Sequence, residues 1–445
     1  MTEKFSKRNW IILLIFGLAG QIAWSVENMY FNVFVFDTIA RDLDAITLMV
    51  QLSGVVATVV TLIAGTLSDK LGNRRAFISI GYIIWGVTVA LFGFLSDETV
   101  GALFNLDPAT AVSVTLVLVI AGDCIMTLFG STANDAAFNA WLTDNTRASF
   151  RGKVEGVVAI LPLLAMLIVA GGFGMLVGAL GYSTVFLVLG IVISICGVVG
   201  LFLIKDSERL VKNGGFRDIL YGFRPSVVRE NAPLYLTFLI VCVYGIACQI
   251  FMPYLIIYMT EYLRFSVIEY SVVFGGAILI GGGINVVLGG MSDKREKSRL
   301  LYLAVTVMSI GLFAMYMARG MSHFADLVFF ALSGLAMITG YIFVAQLTGS
   351  IMRDYTPAAD TGKLQGVRMV FSVLIPMLLG PMIGNGINAA LGNLMEGDIG
   401  STAMTTSYIP APEIFLAAAV TCALTVFLVL ALRRTIAKRG ELRED

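Results

Sequence analysis

Three carboxylates stand inside long apolar stretches: Glu27, Asp123 and Asp135. Ionisable groups are costly at membrane depth, and those that persist there mark ion or solute pathways. Around Glu27 lie Gln21, Trp24, Asn28 and Asn32. Helical spacing puts Gln21, Trp24 and Asn28 on one face, with Asn32 a turn further on. Amides and a carboxylate hydrogen-bond hydroxyls, and an indole covers the apolar face of a sugar ring, so the group reads as a solute site. The same amides would equally serve as glue between helices, with Trp24 as packing. Asp123, Thr127, Ser131 and Asp135 recur every four residues. That spacing draws one polar stripe down a helix, which reads as the wall of a water-filled path with Asn139 near its end. Glu27, Asp123 and Asp135 are candidate sites for a coupling proton or sodium ion, and Glu27 is also the preferred solute ligand. Asp135 has a structural alternative, pairing with Arg151 or Lys153. Further along the chain Tyr244, Gln249, Tyr254 and Tyr258, then Tyr341 and Gln346, offer polar groups to the same solute. Lone tyrosines are as readily packing or interface anchors. Pro253 is expected to kink its helix.

These residues need long helices to carry them. The chain has 445 residues, 58% hydrophobic and 13% charged, where soluble domains carry about 25% charged residues. A spanning helix needs about 20 apolar residues. Such stretches fall near 10–36, 46–69, 76–95, 112–141, 154–177, 183–204, 234–260, 266–290, 300–319, 324–350, 364–391 and 412–432. The fold class expected is an all-α membrane protein of twelve spans. The first span is too long for a signal-peptide core, lacks a small-residue cleavage site, and is read as retained. Of the 30 Lys and Arg residues, all but Arg41, Arg264 and Arg319 fall on one set of alternate connections. By the positive-inside rule both termini face the cytoplasm of a cell (inner or plasma) membrane. The opposite connections are acidic, with Asp97, Glu98, Asp107, Glu396 and Asp398.

The chain also repeats itself. Gly65-Thr66-Leu67-Ser68-Asp69-Lys70 is echoed by Gly289-Gly290-Met291-Ser292-Asp293-Lys294. Asp144 and Thr146, followed by Gly152, Lys153, Gly156 and Val157, are echoed by Asp354 and Thr356, then Gly362, Lys363, Gly366 and Val367. Gln21-Ile22 is echoed by Gln249-Ile250. All copies fall at corresponding places in two halves, so the repeat is parallel, and parallel six-helix halves build one large class of transporter. The expected division is an N-terminal half at 1–204, a cytoplasmic linker at 205–233 with a short surface helix, and a C-terminal half at 234–445.

The first loop carries Gly65, Asp69, Lys70, Gly72, Arg74 and Arg75 in the signature spacing of the major facilitator superfamily, which the whole chain resembles. The second copy keeps Gly289, Asp293 and Lys294 but has Glu296 in place of its second glycine. Within that superfamily Asp123, the stretch from Asp144 to Gly156 and the polar run of the first helix resemble the glycoside–pentoside–hexuronide cation symporters and sucrose-type carriers. The resemblance implies that helices 1, 4, 7 and 10 line a central cavity, and that Asp123 matches the fourth-helix acid of the cation symporters. It also implies cation- or proton-coupled symport of a sugar or glycoside.

The loop residues also have a mechanical reading. Gly65 would let a neighbouring helix approach, and Lys70, Arg74 and Arg75 would pair with acids such as Asp144 in one conformation and release them in another. The plainer alternative is a basic loop that only sets topology. In helix 11, Pro376, Gly380, Pro381, Gly384 and Gly386 read as a flexible or broken stretch, and Arg368 near its start could counter Asp354 or a cavity acid. Competing functions are a proton-coupled efflux antiporter and a receptor on the same fold. Efflux families carry a Gly-Pro step in helix 5, where this chain has Pro162 and Gly171-Gly172-Phe173-Gly174. No nucleophile–base set, phosphate loop or metal cluster points to an enzyme. The five cysteines sit singly in apolar runs and read as small hydrophobes, and His323 reads as a surface residue. A bilayer, a small solute and a coupling cation are the expected partners, with no cofactor, metal or nucleic acid, for a protein acting as a monomer.

Overall fold

The computed structural model describes residues 5–146, 151–207, 221–292, 296–318, 322–357, 361–393 and 408–439. Among these residues twelve helices are long and apolar enough to cross a membrane. In order, helices 1 to 6 are Lys7–Thr38, Leu43–Ser68, Arg74–Phe92, Pro108–Asn145, Ile160–Leu180 and Tyr182–Leu203. Helices 7 to 12 are Ala232–Tyr262, Val267–Leu288, Lys297–Met317, His323–Tyr355, Gly366–Leu391 and Glu413–Lys438. Helices 4 and 10 overrun their apolar windows because caps, not hydropathy, set their ends. Asp107 accepts from the Thr110 backbone N–H with Pro108 in the first turn, and hydrogen bonds from the Thr110 side chain and then its backbone hold the carboxyl below the usual carboxylate range. Ser322 caps helix 10 through Ala325. The acidic connection after helix 3 forms a short helix, Asp97–Phe104, with both acids in its first turn, where the helix dipole favours negative charge.

Described residues up to 207 form one compact unit and those from 221 onward another. In the first, helix 1 packs on helices 5 and 6, helix 2 on helix 4, and helix 3 on helices 4 and 6. In the second, helix 7 packs on 11 and 12, helix 8 on 10, and helix 9 on 10 and 12. Each pairing in one unit has its counterpart in the other, so the sequence repeat is a repeat of packing. Small residues set the closest approaches: a Cβ on Gly86 of helix 3 would collide with backbone of helix 6 at Gly190, and the reverse holds.

Helix 11 differs from expectation. It runs unbroken as Ile375–Leu391 through Pro381, and its irregular turn lies earlier, at Val370–Leu374. Gly380 and Gly384 are closed against Gln249 and Ile250 of helix 7, so the glycines serve packing rather than flexibility. Pro253 does break helix 7, which passes through a tight turn at Met252–Tyr254. The expected surface helix of the linker is present at Pro225–Glu230, and its Val227 packs with Leu234, Phe238, Leu364 and Val367.

Candidate functional site

The acid of helix 1 is drawn into a hydroxyl cage. From Glu27 to Phe31 the helix widens into a π turn, a distortion common at functional sites. Glu27 is buried there, 7% exposed. Its Oε1 accepts from Ser53 Oγ of helix 2 and Thr127 Oγ1 of helix 4, both at 3.0 Å. The two hydroxyls are themselves 2.7 Å apart. Asp123, 2% exposed, lies one turn from Thr127 and close enough to act on Glu27 through its charge. Glu27 Oε2 and Asp123 Oδ1 have no hydrogen-bond partner among the described residues. Among the described residues no ion pair reaches either carboxyl.

The stripe on helix 4 is not the wet wall its spacing implied. Thr127 and Ser131 are fully buried, and Thr127 faces Glu27 of helix 1 and Ser53 of helix 2. From Ser131 to Phe138 the helix is a π turn, so the four-residue period no longer holds a straight line. Asp135 is half-buried and accepts from Ser131 Oγ at 3.2 Å and Asn134 Nδ2 at 3.4 Å. The indole N–H of Trp24 lies beside it, buried, without a well-aligned hydrogen bond. The Trp24 ring packs on Trp85 at 5.1 Å and Trp85 on Tyr82 at 5.5 Å. The Tyr82 hydroxyl donates to Phe16 O at 2.6 Å and also contacts Asn134 Oδ1 at 3.1 Å. Arg151 and Lys153, the alternative partners for Asp135, have side chains outside the described residues.

The amides of helix 1 separate. Gln21 and Trp24 are half-buried and Asn28 is exposed, its Nδ2 donating to Trp24 O at 2.7 Å. Asn32 is 1% exposed and donates to Asn28 O. In the second unit Tyr244 and Tyr341 stack at 5.6 Å, and the Tyr244 hydroxyl donates to Tyr341 O. Tyr254 donates to Pro381 O of helix 11. Gln249 is half-buried against Gly380 and Gln346 is exposed. His323 is exposed and meets Glu269 at 2.9 Å.

The loop signature is partly a fold device. Gly72 ends helix 2 at φ 65° and ψ 36°, a left-handed turn that glycine alone adopts freely. Arg74, 5% exposed, pairs with Asp144 Oδ2 at 3.2 Å and donates to Ser68 Oγ, as the sequence suggested. Arg75 reaches Asp206 through its backbone N–H and Leu201 O through its guanidinium. Lys70 is exposed. The close approach expected at Gly65 is absent: a Cβ there meets nothing within 4 Å among the described residues. The Asp69 side chain and residues Asp293 and Lys294 lie outside the described residues. The second unit repeats the ion pair, with Lys297 Nζ on Asp354 Oδ2 at 2.5 Å and on Ser350 Oγ at 2.7 Å. Asp354 thus takes Lys297, whereas Arg368, its expected counter-charge, is exposed. Glu296, where the signature would have glycine, is 7% exposed and holds both Arg299 and Arg433.

Sequence reasoning missed Ser53, Tyr82, Trp85, Asn134 and the role of Glu296. Only Glu296 carried a visible signal, as an acid where the signature has its second glycine.

Twelve spans in two repeats, with a buried acid cluster in the first of them, have the build of a membrane transport protein. The Major Facilitator Superfamily profile matches residues 9–374, and the chain belongs to that family of transporters. No curated protein sequence matches it. Among solved structures it is similar to a mutant form of the nucleoside transporter NupG, at TM-score 0.70 and 12% identity over 95% of this chain and 99% of that one. A bacterial homologue of the human lysosomal transporter Spinster, inward-facing and unoccupied, matches at TM-score 0.70 and 13% identity, over 99% of both chains. A bacterial homologue of the iron transporter ferroportin matches at 0.63 and 13%, over 95% of this chain and 98% of that one. At such identity the likeness speaks for the fold alone.

Proposed function

We propose that the protein is a secondary active transporter that carries a small polar solute, a sugar or glycoside, in symport with a proton or monovalent cation. One observation carries the reading: Glu27 and Asp123 are buried, Glu27 against Ser53 and Thr127, and among the described residues no ion pair reaches either carboxyl. Two neighbouring carboxylates in low dielectric repel each other and lack counter-charge, so a bound proton or cation relieves both costs. A site that is most comfortable when loaded ties ion binding to conformational change. The half-buried Trp24 and Gln21 and the exposed Asn28 stand beside it as solute contacts.

Uptake into proteoliposomes across a panel of sugars, glycosides and cationic drugs, with imposed proton or sodium gradients, is the test. Gradient-driven accumulation of a sugar or glycoside is expected. Asp123→Asn is expected to abolish accumulation while leaving exchange at equal concentrations, because exchange needs only the loaded carrier to reorient. Accumulation by Asp123→Asn protein would remove Asp123 from the coupling role.

A further inference from the structure

We infer that the solute carries a protonated amine, as an amino sugar does, held by Asp135 beside the Trp24 ring, and that acidic sugars are refused. The inference rests on the transporter reading and narrows its solute. It begins with the side chains left open on helices 1 and 4: Asn28 and Asn139 are exposed, and Trp24 and Asp135 are half-buried. Open polar groups at membrane depth line water rather than lipid. These side chains are joined by contact. Asn28 Nδ2 donates to Trp24 O at 2.7 Å, Trp24 lies beside Asp135, and Asn139 Nδ2 donates to Asp135 O at 3.1 Å. Thr143, also exposed, extends the strip by a turn, its hydroxyl donating to Asn139 O at 3.0 Å.

Those bonds decide what the strip can offer. Thr143 has given its one hydroxyl hydrogen back to the helix, and each amide one of its two, which leaves the amide oxygens unspent. The indole N–H of Trp24 is buried, so its ring is what stays open. Asp135 accepts Ser131 Oγ on one oxygen and Asn134 Nδ2 on the other, both from its own helix, and keeps a lone pair on each. The strip is thus rich in acceptors and poor in donors. A sugar hydroxyl both donates and accepts, whereas an ammonium only donates, three times. Charge points the same way. No Lys or Arg occurs between Arg8 and Arg41 or between Arg75 and Arg147, and among the described residues no ion pair reaches Asp135. A carboxylate with a half-buried indole beside it holds a cation in two ways, by a charge-assisted hydrogen bond and by the face of the ring. A uronate or a sugar phosphate would meet carboxylates on these helices and no counter-charge.

Thermal-shift titration of the full-length protein in detergent at neutral pH tests this with no gradient present. The probes are glucosamine, N-acetylglucosamine, glucose and glucuronate, with the corresponding galactose series. One of the two amino sugars is expected to bind about tenfold or more tightly than its neutral and N-acetylated counterparts, the ordinary worth of one charge-assisted hydrogen bond. The uronates are expected not to bind. This ranking needs no variant. Asp135→Asn is expected to bring the amine and the neutral sugar close to equality, and Asp135→Glu to keep the preference. Equal binding of amine and neutral sugar by the wild-type protein overturns the inference, and is the result that Arg151 or Lys153 spent on Asp135 would give. Binding of a uronate, an undiminished preference in Asp135→Asn, or no binding of either amino sugar overturns it as well. Uptake answers separately. If the amine is preferred in binding but nothing accumulates under a gradient, the symport reading falls and the amine site stands. If a sugar accumulates with no preference for the amine, the symport reading stands and the amine site falls.

Discussion

A serine and a threonine decide how Glu27 is held. Removing the Thr127 hydroxyl as Thr127→Val takes one of two donors from a buried carboxyl oxygen, a loss of about 1–3 kcal/mol where nothing replaces it. The expected result is a lower melting temperature in detergent and weakened gradient-driven uptake, with Thr127→Ser close to wild type in both. Unchanged stability and coupling in Thr127→Val would show that Ser53 alone suffices. The carboxylates were legible in the sequence because an acid in an apolar run has few innocent explanations. Ser53 was not. A hydroxyl in a membrane helix commonly bonds its own carbonyl four residues back, as Thr47 and Thr58 do in the same helix. Only the depth of Glu27 and Thr127 opposite singles out Ser53.

At the scale of elements, residue type accounts for helix ends better than for helix interiors. Gly72, Asn73 and Asp107 are cap residues by type, and each caps where it stands. The π turns at Glu27–Phe31 and Ser131–Phe138 leave no mark in residue type, yet they settle which side chains meet. A strict four-residue stripe assumed a regular helix throughout, which holds at Asp123 and Thr127 but not from Ser131 onward. The Arg74–Asp144 pair between helix ends was legible from residue type, whereas Asp354 takes Lys297 rather than the expected Arg368. Breaking a largely buried pair leaves an uncompensated charge and costs about 3–5 kcal/mol. Arg74→Ala is therefore expected to lower the melting temperature more than Lys297→Ala, whose partner Asp354 is half exposed. The charge-reversed double variant Arg74→Asp with Asp144→Arg should recover part of the loss. Equal effects at both sites would deny Arg74 its special burial.

On the scale of the whole molecule, topology and asymmetry are the open consequences. The charge bias predicts that single cysteines at Asn105 and Thr402, in a cysteine-free background, react with an impermeant reagent added outside intact cells. A cysteine at Asn213 should not, and labelling there from outside overturns the assigned orientation.

The repeat makes a sharper comparison. Aligned through Gln21 and Gln249, Gly65 and Gly289, and Asp144 and Asp354, the cluster of Glu27, Ser53, Asp123 and Thr127 falls opposite Leu255, Ala277, Ser333 and Met337. All four counterparts are buried, at 2%, 4%, 5% and 1% exposure. Corresponding buried positions thus hold an ionisable set in one unit and a nearly apolar set in the other. Since the apolar set fills the site, the fold does not require the acids; their retention in one half speaks for a role in transport. Replacing a buried ionic group with well-packed apolar residues is often neutral or stabilising, by about 1–4 kcal/mol. The quadruple variant Glu27→Leu, Ser53→Ala, Asp123→Ser, Thr127→Met is therefore expected to melt no lower than wild type. It should let solute equilibrate down its gradient and lose all accumulation driven by an ion gradient. A variant that melts well below wild type would mean the acids hold the first unit together, and one that still accumulates solute would place the coupling site elsewhere.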